Sequence, residues 1–84
     1  MNWEIKYKKD AWKFLVENEL VDKFEEAIKS FIKEGARIDI KKLRGKLYGH
    51  HRVRIGKMRV ILKFDFEKKV LYVKKADFRG DIYK

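Results

Sequence analysis

The residues able to do chemistry lie in one stretch, His50 to Phe66, which reads HHRVRIGKMRVILKFDF. It holds Arg52, Arg54 and Arg59 at alternate positions on either side of Gly56-Lys57, with His50 before them and Lys63 after. A guanidinium is a planar, permanently charged fork that matches phosphate oxygens. Several forks on one face would hold the phosphates of a polyanionic partner. A histidine titrates near neutrality and can move a proton. His50 is the candidate acid or base, and the alternative is that His50 and His51 simply end a strand beside Gly49.

These side chains converge only if the stretch is a β-hairpin. Gly56-Lys57 supplies a two-residue turn in which glycine takes the positive φ such turns need. Ile55 then faces Met58, Arg54 faces Arg59, and Val53 faces Val60. Strand side chains alternate between faces. Val53, Ile55, Met58, Val60, Leu62 and Phe64 would form an apolar face. His50, Arg52, Arg54, Arg59 and Lys63 would form the other, interrupted only by Ile61.

Charge points the same way. The net charge is +10 in 84 residues, and between Lys41 and Phe64 there are nine Lys or Arg and no acid. The other cations and all 13 acids nearly balance. A clustered excess is the footprint of a polyanionic partner. A heat-stable surface is also rich in charge, but it mixes the signs.

The flanking elements must hold the hairpin. Trp3, Ile5 and Tyr7 alternate with Glu4 and Lys6, which predicts a strand. Ala11, Trp12, Leu15 and Val16 change to helical spacing over Lys8 to Glu17. Asn18 can end that helix and cap the next. Leu20, Phe24, Ala27, Ile28, Phe31 and Ile32 form the apolar stripe of a second helix over Glu19 to Glu34, closed by Gly35. Ala36 to Gly49 reads as a connector carrying KKLRGK. Glu67-Lys68 is a second turn, and Val70 to Val73 is an apolar run typical of an internal strand.

The expected order is β-α-α-β-β-β. This is an α+β domain with two N-terminal helices on one face of a mainly antiparallel, four-stranded sheet, and residues 1–84 are one domain with one core. There is no cysteine, hence no disulfide framework or thiolate zinc site. No metal is expected, since Asp77 and Asp81 stand without a histidine at ligand spacing. No cofactor is expected either, and no Gly-rich phosphate loop or serine elbow is present. No apolar run is long enough for a bilayer and no secretory signal is visible, so a cytoplasmic protein without a membrane partner is expected.

Three segments together carry a resemblance: Leu43-Arg44-Gly45, the run Arg52 to Ile61, and Arg79-Gly80-Asp81-Ile82-Tyr83. They resemble the RelE/ParE toxin superfamily of toxin–antitoxin systems, whose pattern is a basic "LxG" connector, an "RVRxGxYRVIY" hairpin and a terminal "RxxxY". The resemblance implies the RelE-like fold. It also implies a metal-independent endoribonuclease that enters the ribosomal A site and cleaves mRNA by attack of the 2′-hydroxyl on the adjacent phosphate. It implies a cognate RelB-like antitoxin that holds the toxin inactive. Carried over by position, Arg52, Arg54, Arg59 and Arg79 are the catalytic cations, and Tyr83 is the tyrosine associated with the substrate nucleotide. Lys41, Lys42, Arg44, Lys46, Lys57 and Lys63 are left as contacts to RNA and the ribosome.

The sequence departs from the family pattern in two places. Met58 replaces the usual tyrosine, at a core-facing position where methionine packs as well. Arg52 and Arg54 stand where well-known RelE members have lysines, and arginine cannot give up its proton as a depressed lysine can. Two other readings stay open: a ParE-like toxin that binds DNA gyrase and cuts no RNA, and an RNA-binding module without chemistry.

Overall fold

The computed structural model describes residues 3–78. Its elements are β1 (Glu4–Tyr7), α1 (Lys9–Glu17), α2 (Val21–Glu34), β2 (Asp39–Lys42), β3 (His51–Ile55), β4 (Met58–Asp65) and β5 (Val70–Phe78), with a 3-10 turn at Gly45–Leu47. The strands form one sheet in the order β1-β5-β4-β3-β2. All pairs are antiparallel except β1 with β5. The expected α+β class holds, but the sheet has five strands and not four. The extra strand is β2, inside the stretch read as a connector. Its alternation is short, and its last two residues, Lys41 and Lys42, are exposed.

The hairpin has the expected register: Ile55 opposite Met58, Arg54 opposite Arg59, Val53 opposite Val60. Gly56 sits at φ +60 and Lys57 is back at negative φ, as a type II′ turn requires. Below the sheet, Val53, Met58, Val60 and Leu62 join Leu71 and Val73 of β5 in a core with Ala11, Leu15, Phe24 and Ile28 of the helices. Ile55 and Phe64 pack at its margin.

Both helices end with defined chemistry. Asn18 terminates α1, and its Nδ2 donates to the Phe14 carbonyl at 2.8 Å. It does not cap α2, whose N-cap is Leu20, because the chain first turns through Glu19 at φ +55. Gly35 closes α2 in the left-handed conformation, with φ +68. Tyr7 ties the sheet to α2: its hydroxyl donates to Glu25 Oε2 at 2.5 Å. Burial and the neighbouring carboxylate push the ionisation of Tyr7 well above the usual tyrosine range.

The β4–β5 turn spans residues 66–69, and Asp65 Oδ1 accepts the Lys68 amide at 3.1 Å across it. The register is the one a two-residue turn at Glu67-Lys68 would give, so Lys63 lies opposite Tyr72. Further along, Leu62 pairs with Val73 but Ile61 with Lys75. Lys74 is therefore the extra residue of a β-bulge, which lets both Val73 and Ala76 reach the core.

Candidate functional site

The face of the sheet opposite the helices carries the cations in rows. The first row runs Asp39, Arg54, Arg59, Asp77 across β2, β3, β4 and β5. The second runs Lys41, Arg52, Ile61, Lys75. The third contains Lys63, Tyr72 and Lys6, with His50 at its β3 end. Arg52, Arg54, Arg59, Lys63 and Lys41 thus share one surface, as the alternation predicts. Ile61 is only 2 % exposed although it lies on this face outside the core cluster, between Arg52 and Lys75 in the ladder.

Asp39 pairs with two of the arginines. Its Oδ1 accepts from Arg52 at 2.7 Å and its Oδ2 from Arg54 at 2.5 Å. One carboxylate thus holds two guanidinium groups side by side. The Arg52 side chain is 11 % exposed and that of Arg54 is 42 % exposed. Arg52 is therefore an anchored cation and Arg54 an accessible one. Arg52 Nε is buried without a hydrogen-bond partner among the described residues. Sequence reading missed Asp39. The available signal was Ile38-Asp39-Ile40, an alternation that puts an acid on the same face as the arginines.

His50 and His51 fall on opposite faces. His50 borders the third row, four strand residues from the Arg54–Arg59 pair, which is roughly 13 Å. His51 turns to the other side, where its ring meets Phe64 edge-on with centroids 5.4 Å apart. Burial, then Lys42, then His50 lower its pKa. Lys42 belongs to that side too, next to Ile40 and His51, and not to the arginine surface. Arg44 and Lys46 sit in the loop and turn after β2, and Lys57 sits in the hairpin turn; all three are exposed. Arg79 and Tyr83 lie outside the described residues. Among the described residues no group of three or more acidic or histidine side chains could hold a metal ion, and no helix is long and apolar enough to cross a membrane.

The fold has counterparts among solved structures. The chain is similar to a chain of the archaeal RelE-RelB complex from Pyrococcus horikoshii OT3, with 27 % identity over 96 % of this chain and 99 % of that one, at a TM-score of 0.71. It is similar in fold to a chain of the YoeB-YefM complex from Staphylococcus aureus, with 20 % identity over 94 % of this chain and 99 % of that one, at 0.70. The same holds for a YafQ mutant from E. coli, with 13 % identity over 99 % of this chain and all of that one, at 0.67. No family model and no curated protein matches the sequence. The class is a small toxin-type α+β domain. The likeness to a chain of the RelE-RelB complex supports the RelE/ParE toxin superfamily.

Proposed function

We propose that the protein is the toxin of a toxin–antitoxin pair and acts as a ribosome-dependent mRNA endoribonuclease. The observation that carries this reading is the pairing of Arg54 with Arg59 across the hairpin, with Arg52 held one row away on the same open face. The hairpin signature and the likeness to the archaeal RelE chain support it.

In the proposed reaction the 2′-oxygen forms a bond to the adjacent phosphorus and the bond to the 5′-oxygen breaks. The 2′-hydroxyl loses a proton and the 5′-oxygen gains one. Arg54 and Arg59 stabilise the charge that builds on the phosphorane oxygens, with Arg79 as the further cation expected from the family pattern. Asp39 keeps Arg52 and Arg54 in fixed orientation, so no side-chain ordering is needed at the moment of reaction. The separation of His50 from the Arg54–Arg59 pair argues against direct proton transfer at a phosphate seated there; His50 would serve only a phosphate closer to Arg52. The partner that restrains this surface is an acidic antitoxin, for which the two solved complexes of similar chains offer the precedent.

The test is toe-printing on programmed ribosomes. The wild-type protein should produce cuts within the codon in the A site. Arg54→Gln should lower the rate by about 10²–10³, the usual effect of losing one transition-state donor. Uncut transcripts and normal translation with arrested DNA replication would instead select the gyrase-binding reading.

A further inference from the structure

A second groove lies on the same face, beyond the arginines. It has a volume of about 680 Å³, and its lining includes Lys6, Lys8, His50, Lys63, Tyr72 and Lys74. None of Arg52, Arg54 or Arg59 lines it. Asp65 and Glu67 border its turn end, where Asp65 is engaged with the Lys68 amide. Tyr72 is 37 % exposed, although it stands in a strand whose neighbours Leu71 and Val73 are buried.

We infer that this groove is a second nucleotide subsite, in which a base of single-stranded RNA stacks on Tyr72 while the flanking phosphates lie on Lys63, Lys6 and Lys74. The inference rests on the RNA reading of the arginine face and extends it. Three features favour RNA over other polyanions. An aromatic ring in a cationic groove is the arrangement that holds unpaired bases, because every base offers a π-face. Lys63 and Lys6 flank Tyr72 on both neighbouring strands, so cations stand on either side of the stacking position. Lys74, two residues on from Tyr72 along β5, brings a further cation to the same groove.

The groove lies two rows from the Arg54–Arg59 pair along the strands. Lys63 follows Arg59 by four residues along β4, roughly 13 Å. An extended strand with one phosphate on Arg54 and Arg59 covers that distance in a few nucleotides. The subsite therefore grips the substrate on one flank of the cut and contributes positioning, not chemistry.

Fluorescence anisotropy with labelled 2′-O-methyl oligoribonucleotides, which cannot be cleaved through the 2′-oxygen, tests this. The wild type should gain affinity on lengthening from a dinucleotide to a hexanucleotide. Tyr72→Phe should keep that gain. Tyr72→Thr retains a strand-compatible side chain and should bind the hexanucleotide about 5- to 150-fold more weakly, the range for one lost base stack. Lys63→Gln changes an exposed side chain and should reduce the salt dependence by about 0.7 in log–log slope. If Arg54→Gln weakens binding while Tyr72→Thr and Lys63→Gln leave it unchanged, the subsite is refuted and the RNA reading stands. If the wild type binds no oligonucleotide of any length, the subsite is refuted, and the ribosome-dependent reading is decided separately by toe-printing.

Discussion

Replacing Asp39 by asparagine should make the protein less stable and its grip on RNA tighter. The carboxylate bonds Arg52 at 2.7 Å and Arg54 at 2.5 Å. The Arg54 pair is more than a third exposed on both sides, so it contributes no more than about 1 kcal/mol. Arg52 is mostly covered, and a hydrogen bond to a charged group contributes ~1.5–3 kcal/mol. Asparagine keeps one acceptor and Asp39 is itself partly wet, so the net loss should be about 1–2 kcal/mol. In a domain of this size that lowers the melting temperature by roughly 4–16 °C. Binding moves the other way. A phosphate on the outer edge of either guanidinium would lie roughly 6 Å from the carboxylate, with a repulsion of ~0.7 kcal/mol at the dielectric of water and ~2.8 kcal/mol at an effective value of 20. At low ionic strength the dissociation constant should fall by about threefold or more. Thermal denaturation and anisotropy on a single-stranded oligonucleotide measure the two effects. An Asp39→Asn variant with an unchanged melting temperature and weaker RNA binding would refute the reasoning, since Asp39 would then serve the ligand and not the fold.

Tyr7→Phe should destabilise the protein by about 1–2 kcal/mol at neutral pH, read by urea unfolding, because Glu25 loses a part-buried donor. The folded-state pKa of Tyr7 is raised, so its stabilising contribution is complete below the ordinary value of 10.0 and is lost as pH rises above it; the variant should show a smaller alkaline loss than the wild type. Gly56→Ala should cost about 1–2 kcal/mol in the same assay, because φ +60 is the strained region for an L-residue. Among the described residues the added Cβ would meet Lys23 Nζ alone, at 3.5 Å, so the loss should come from backbone strain and not from a clash.

The hairpin was legible because alternation and turn chemistry agree there. Gly56 sets the turn, and every pair from Ile55–Met58 to Val53–Val60 follows from counting outward. The helices were legible because their apolar stripes are continuous. β2 was not, because two of its four residues are wet lysines and an edge strand buries little. The parallel pairing of β1 with β5 leaves no trace in local pattern, since it joins residues more than sixty apart. The arginine face could be read from parity alone. The Asp39 clamp could not, because it depends on β2 being a strand and pairing in one register with β3.

That pairing of the first strand with the last also bears on synthesis. β2, β3 and β4 can assemble with neighbours close in the chain, but β1 must wait for Val70 to Val73. Those residues also bring Leu71 and Val73, without which the helices have half a floor to sit on. A nascent chain therefore cannot finish this domain until residues 70–73 have left the exit tunnel.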